Sequence, residues 1–398
     1  MVSVEEATDI ILSRLYKPAK VTVPLTQCVG RILGEVVKAD RDLPPFDRVA
    51  MDGIAIQHER WANGQKEFLI QDEQAAGAEQ KTLDDSEQCL EVMTGAVLPE
   101  DTDTVIRYED LHLDDDKATI KVDKVEKGQN IHRQGLDAAE GSVLLEPGII
   151  ISPAEVALLA SVGKSDVTVL SMPKTAVISS GDELVEVSTT PEPYQIRKSN
   201  TYALDAAMDQ MKWTANLFHL PDRKDFLLDS LRVIAADHDV LILSGGVSKG
   251  KYDFIPAVME ELGVKKIFHQ VSQRPGKPFW FGVGAKGKVV FALPGNPVST
   301  YCCFYRYIKP WLMKSLSVEA PTMHAILAKD FSFQPSLTYF LQVRVENENG
   351  KLLAYPEAGG GSGDFANLKK VNGFLELPLQ KNSFLAGEVF PYYPFRTL

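Results

Sequence analysis

The chain is poor in cysteine and short of positive charge, and it lacks any long apolar run. Cys28, Cys89, Cys302 and Cys303 are the four cysteines among 398 residues. None of their spacings matches a metal knuckle or a paired redox motif, which argues against a zinc ribbon or a disulfide framework. Cys302 and Cys303 sit in an aromatic, apolar stretch that reads as a helix, so they are expected to be buried thiols. Lysine and arginine total 42 against 54 aspartates and glutamates, a formal net charge of -12. That balance argues against broad nucleic-acid binding, which needs a basic face. No apolar run reaches the roughly 18 residues of a membrane span. Met1–Asp9 carries Glu5, Glu6 and Asp9 where a signal peptide would be basic and then apolar, so the expected location is the cytoplasm.

What is present is enough apolar material, 44% of the chain, for two to four domains. Three glycine-bearing turns follow apolar runs: Ser244-Gly245-Gly246-Val247-Ser248, Arg274-Pro275-Gly276-Lys277-Pro278 and Leu293-Pro294-Gly295-Asn296-Pro297. A small-residue turn after a buried strand exposes backbone N–H groups, and those hold anions. Arg274 and Lys277 add two cations. Together the turns predict a site for a phosphorylated, polyanionic ligand. Each also has a plainer reading: Gly245-Gly246 as tight βα packing, Asp253 as a helix N-cap and Asp52-Gly53 as a hairpin turn.

The pattern changes along the chain. Val4–Leu15 reads as an amphipathic helix. From Phe46 to Lys127, strand-like pieces such as Gly53–Ile56, Phe68–Ile70 and Thr104–Tyr108 alternate with acidic turns, which predicts an inserted β-rich domain. Ser152-Pro153-Ala154-Glu155 carries the capping pattern of a helix start. From Pro173 to about Leu316 strands and helices alternate, which predicts a doubly wound parallel sheet. Ligands of such sheets bind at the carboxyl ends of the strands, where Glu183 and Ser244 fall. After Pro321 the period-two run Phe340–Val345 leads to an Asn349-Gly350 turn, and the remainder is expected to form a small β-barrel or sandwich.

Seven motifs occur in one order: PPFD…AMDG (Pro44–Gly53), MTG…P (Met93–Pro99), GQN…R..G.D (Gly128–Asp137), SSGDEL (Ser179–Leu184), SGGVS.G.YD (Ser244–Asp253), RPGKPF.FG (Arg274–Gly282) and LPGNPVS (Leu293–Ser299). In that order they resemble the molybdopterin molybdenumtransferases, the molybdenum insertases of molybdenum cofactor synthesis, related to the gephyrin E domain. The resemblance implies an elongated, multidomain α/β plus β homodimer. Its parts would be a split N-terminal domain (1–45 and 128–172), an inserted β-rich domain (46–127), a molybdopterin-binding α/β domain (173–320) and a C-terminal β-barrel (321–398). It also implies an active site between the α/β domain of one subunit and the inserted domain of the other. Asp52, Thr94 and Asp137 would serve one side; Glu183, Asp222, Asp253 and Arg274 the other. Ser244, Gly245, Gly246, Ser248, Pro294, Gly295, Asn296 and Pro297 would cradle the pterin phosphate, with Lys277 neutralising charge, and Ser362 matches a functional serine.

The implied reaction takes adenylylated molybdopterin and molybdate, leaves molybdenum on the dithiolene and releases AMP. Two anions must then meet in an acidic protein. Mg²⁺, hard and oxygen-seeking, is the natural bridge, with Glu183, Asp222 and Asp253 as candidate ligands. Implied partners are a molybdopterin adenylyltransferase and the maturation of molybdoenzymes. Arg274 stands where many relatives have lysine. Gln270 and Gln342 stand where lysine and arginine are frequent, and Ile54 replaces a usual tyrosine. The rivals are a non-catalytic carrier or gephyrin-like scaffold, the adenylylating enzyme of the same pathway and a tungsten-specific paralogue.

Overall fold

The computed structural model describes residues 1–247, 253–319 and 321–396. It divides into two compact units. One gathers Met1–Gly34, Gly148–Ser152 and Val167–Leu398; the other gathers Glu35–Pro147 and Pro153–Asp166. The segment 1–45 is therefore shared, with 1–34 packing in the first unit and 35–45 in the second.

The first unit opens with α1 (Val4–Leu12), started by a capping box in which the Ser3 hydroxyl accepts the Glu6 N–H and the Glu6 carboxylate accepts the Ser3 N–H. It stops short of the expected Leu15 because Ser13 turns its hydroxyl back onto the Ile10 carbonyl and Leu15 stays exposed. Strand and helix then alternate as β1 (Thr175–Ser180), α2 (Asn200–Asp209), β2 (Ala215–Leu220), α3 (Lys224–Asp237), β3 (Val240–Ser244) and α4 (Ile255–Glu261). Next come β4 (Lys265–His269), β5 (Trp280–Val283), β6 (Val289–Leu293), α5 (Pro297–Cys303) and α6 (Lys309–Ser315). The sheet order is β2-β1-β3-β6-β5-β4. The expected parallel arrangement holds for β2, β1, β3 and β6. β5 and β4 join antiparallel instead. Only the tight Ala285–Gly287 turn separates β5 from β6, which is too short for a crossover helix.

Alternating side chains explain why this sheet is covered on both faces. Val240 and Ile242 of β3 enter one core, with α1, Leu204 of α2 and Trp311 of α6. Leu241 and Leu243 enter the other, with Leu227 and Leu231 of α3 and Met259 of α4. All four thiols are free and buried. Burial pushes Cys303 up to about 12, so it is chemically quiet at neutral pH.

The C-terminal strands β7 (Met323–Leu327), β8 (Thr338–Glu348), β9 (Lys351–Pro356), β10 (Gly373–Leu377) and β11 (Val389–Pro394) close on themselves. The ring runs β8-β9-β7-β11-β10 and returns to β8. Asn349 and Gly350 both take positive φ, 52° and 82°, which makes the tight turn between β8 and β9. The short strand Gln273–Arg274 pairs parallel to Thr338–Tyr339 and fastens the α/β part to the barrel.

The second unit is built on a mixed six-stranded sheet. Its order is Thr104–Arg107, Gly53–Ile56, Gln88–Val92, Glu67–Gln74, Lys117–Ile120 and Leu111–Asp114. Gly53 does not serve a turn. A Cβ there would sit 1.8 Å from the Ile106 carbonyl oxygen, so the glycine lets two strand backbones meet. No helix among the described residues is long and apolar enough to cross a membrane.

Candidate active site

The strand order places a switch point between β1 and β3: the chain leaves β1 toward β2 on one side, and β6 lies on the other. A cleft of about 970 Å³ lies at the carboxyl ends of these strands, lined by Glu183, Asp222, Asp253, Ser244, Gly245 and Gly246. Pro294, Gly295, Asn296 and Pro297 complete that wall. Gly245 and Gly246 take φ of 100° and 65°. A Cβ at Gly245 would meet the Ser180 carbonyl oxygen at 2.7 Å, so both conformation and space require glycine. Among the described residues, the N–H groups of Gly246, Gly295 and Asn296 meet no acceptor. Unspent amides at a cleft wall are what an incoming anion needs.

The acidic residues have different surroundings. Asp222 follows β2 and is half-buried, and the Ser180 hydroxyl donates to its carboxylate. Burial pushes the Asp222 carboxyl above the ordinary range, and the negative charges of Asp182 and Asp253 add to the rise against the Ser180 bond. The Asp182 carboxylate also accepts the Asp222 N–H at 3.2 Å. Glu183 stands beside Gly181, where a Cβ would lie 2.6 Å from the Glu183 carboxylate. Asp253 lies one residue before the cap position of α4, which is Phe254. Among the described residues no group of three His, Cys, Asp or Glu is gathered as a metal cage.

Arg274 and Lys277, the expected cations, do not line the cleft with these carboxylates. Arg274 is carried by the short strand Gln273–Arg274, its guanidinium 5.9 Å from the Phe333 ring centroid. It lines a separate pocket of about 180 Å³ with Gln342, Gly359, Gly360, Gly361 and Ser362. Lys277 is exposed, and its neighbour Pro278 lines the main cleft instead. Two cations do line the cleft: Arg197, and Lys198, which is 8% exposed and paired with Glu186. Asn296 joins the two pockets: its Nδ2 donates to Ser362 Oγ at 3.0 Å, and the Val298 N–H donates to the Ser362 carbonyl at 3.2 Å. Ser248 lies outside the described residues.

In the second unit Asp52 and Thr94 form one cluster. Asp52 Oδ1 accepts the Thr94 N–H at 2.6 Å and the Thr94 hydroxyl at 2.7 Å. These bonds, the backbone one first, hold the exposed Asp52 carboxyl below the ordinary range. The Thr94 turn is strapped down by Gly95, whose N–H donates to the Val49 carbonyl at 2.9 Å. Asp137 contacts the His132 ring nitrogen Nε2 at 2.9 Å. Its loop is fixed by antiparallel pairing of Ile131–His132 with Arg48–Val49 and by the Arg133–Asp47 ion pair at 2.5 Å.

Sequence reasoning singled out neither Ser180 nor His132 as a partner of a site carboxylate. Each lay inside a quoted motif, which was the available signal. Asn200, the first residue of α2, contacts both glycine turns.

Three family descriptions match in succession. The MoeA N-terminal region (domain I and II) matches residues 2–163, a probable molybdopterin binding domain matches 176–314, and the MoeA C-terminal region (domain IV) matches 324–395. A molybdopterin molybdenumtransferase of Synechocystis is 38% identical over 99% of this chain and 100% of its own length. The chain belongs to the molybdopterin molybdenumtransferase family. A Bacillus subtilis member is 34% identical over 92% of this chain and 87% of its own length. The crystal structure of a molybdopterin biosynthesis MoeA protein from Pyrococcus horikoshii superposes with a TM-score of 0.83 at 30% identity, covering all of both chains. The mixed α/β, closed-barrel architecture expected of the family is therefore the one observed.

Proposed function

We propose that this chain transfers molybdenum from molybdate to the dithiolene of adenylylated molybdopterin and releases AMP. The observation that carries the reading is the switch-point cleft, with turn amides that meet no acceptor among the described residues on one wall and mutually repelling carboxylates beside them. Full-length similarity to molybdopterin molybdenumtransferases supports the same conclusion, and the scaffold alternative is not favoured. The adenylylating enzyme is disfavoured by the Gly245-Gly246-Val247 turn and by the other domains of the chain.

In this reading the amides of Gly246, Gly295 and Asn296 hold the phosphate between pterin and adenylate. The Ser180 hydroxyl fixes one Asp222 oxygen and leaves the other to orient a water or a cation. The donor set suits Mg²⁺, which takes one or two carboxylates together with phosphate oxygens and water rather than a full protein cage. Asp222 and Asp253, with Glu183, would hold it, and it would neutralise charge as the phosphoanhydride bond breaks. Arg274, Gln342 and Ser362 would attend the smaller pocket. The proposal includes a homodimer in which Asp52, Thr94 and Asp137 serve the cleft of the other subunit, working in the cytoplasm beside an adenylyltransferase.

The test is single-turnover AMP release from adenylylated molybdopterin with Mg²⁺ and molybdate, using parent, Asp52→Ala and Glu183→Ala. Molybdate-dependent release that is lost in both variants supports insertion. Tight nucleotide binding without release would sink the enzymatic reading.

A further inference from the structure

Asn200 opens α2 but does not spend its side chain on that helix. Ser199, at the cap position, makes no side-chain cap bond either. Asn200 Nδ2 donates instead to Ser244 Oγ at 2.9 Å and to the Gly295 carbonyl at 2.7 Å, with Thr300 Oγ1 at 3.4 Å. A carbonyl oxygen only accepts, so the amide nitrogen must face Gly295. The two turns also touch directly. The Gly245 N–H donates to the Leu293 carbonyl at 3.2 Å. A Cβ on Gly295 would lie 3.6 Å from Gly245 Cα. Thr300 Oγ1 closes the junction on the Pro294 carbonyl at 2.6 Å.

The turns after β3 and β6 come from residues about fifty positions apart in the chain, with unspent amides on both. An anion gains from both sets only if their spacing matches it, and a displacement near 1 Å costs on the order of 100-fold in such sites. The parallel pairing of β3 with β6 ends at Ser244 and Leu293, so it does not reach the turns themselves. Beyond that point the junction contacts set the spacing, and one side chain from a third element ties Ser244, the last paired residue of β3, to the Gly295 turn.

We propose that Asn200 is a positioning residue for this reaction, holding the two anion-receiving turns at the separation the substrate phosphate requires. The inference rests on the functional reading above. Its chemistry requires a donor at Nδ2 and nothing from the other amide atom. Asn200→Asp keeps the shape and the oxygen but turns a second oxygen toward the Gly295 carbonyl, whereas Asn200→Ala removes both.

The experiment is equilibrium binding of adenylylated molybdopterin to full-length parent, Asn200→Ala, Asn200→Asp and Thr300→Val, with single-turnover AMP release and a thermal melt of each. The expected result is affinity weakened about tenfold or more in both Asn200 variants, while the rate at saturating substrate falls less than about threefold. Thr300→Val loses the closing bond and the longer contacts of the Thr300 hydroxyl with Asn200, Ser244 and the Asn296 carbonyl, but keeps the Asn200 bonds to Ser244 and Gly295. It is expected to show a smaller loss of the same kind and keeps the question open to measurement should an Asn200 variant not fold. Unchanged affinity in folded Asn200 variants overturns the proposal. So does a loss that falls on the saturated rate alone. Parent that binds nucleotide but releases no AMP defeats the functional reading while the affinity comparison still decides the role of Asn200. Parent that binds nothing overturns both.

Discussion

Asp52 and Asp222 are the same residue in opposite environments. Asp52 is exposed on the second unit and takes two donors from Thr94, so its carboxyl sits below the ordinary range. Asp222 is half-buried in the first unit beside Asp182 and Asp253, so its carboxyl sits above it. The pH consequences have opposite signs. For Asp222 the native state holds the proton more tightly than the unfolded chain. Its contribution is most favourable below the unfolded pKa and is lost as pH rises through the folded value. For Asp52 the contribution is full above the unfolded pKa and is lost as pH falls through the folded value. Asp52 is already satisfied by the protein, whereas Asp222 is completed only by something positive.

The sharpest way to break the comparison is to remove the charge from Asp222. Asp222→Asn is expected to lower AMP release on the order of 100-fold. Its melting temperature should hold or rise, because a repelled, partly buried charge is gone. Mg²⁺ should stabilise the parent against heat and leave the variant unmoved. A variant that loses stability and keeps activity would reverse the assignment.

Next in size is Gly245→Ala. The new Cβ would meet the Ser180 carbonyl 2.7 Å away at a φ of 100°. Ser180 is also the donor to Asp222, so strain here disturbs both walls of the cleft. A cost of about 1–3 kcal/mol in urea unfolding is expected, with AMP release reduced beyond what stability explains.

What the sequence made legible follows from the range of each signal. The apolar run before Gly245-Gly246 was readable because such a run before a small-residue turn is a local pattern, and it forms β3, Val240–Ser244. The turn between β8 and β9 was readable because Asn-Gly directly encodes two positive φ values. The antiparallel addition of β5 and β4 was not, because short β strands look alike whichever way they pair. The site was legible as motifs but not as contacts. Ser180 reaches Asp222 across 42 residues and Asn200 reaches Gly295 across 95, and no local pattern spans such gaps. Lys277 and Arg274 show the converse: adjacent to a promising turn, neither lines the main cleft with its carboxylates, and Arg274 lines the smaller pocket.

A milder test addresses Asp52 through its partner. Thr94→Val removes the hydroxyl donor and keeps the backbone N–H at 2.6 Å, which is the larger of the two influences. The Asp52 carboxyl should move part of the way back toward the ordinary range. The acid limb of a pH–rate profile should therefore shift upward, with the rate at pH 8 reduced only about threefold or less. An unchanged acid limb would mean that Asp52 ionisation does not govern the reaction.

The smallest effect is expected at Ser362. Its hydroxyl accepts from Asn296 Nδ2 at 3.0 Å, while its carbonyl separately accepts from the Val298 N–H. Ser362→Ala therefore removes one neutral hydrogen bond and keeps the backbone tie that fixes the glycine-rich loop. One such bond is worth about 1 kcal/mol, or roughly fivefold in affinity. A change of that size in nucleotide or molybdate binding would mark Ser362 as a strap between the two pockets. A loss on the order of 100-fold would be too large for a strap, because the backbone link survives the substitution. It would mean that the Ser362 hydroxyl touches a substrate oxygen and that the smaller pocket, with Arg274 on its wall, takes part in the chemistry.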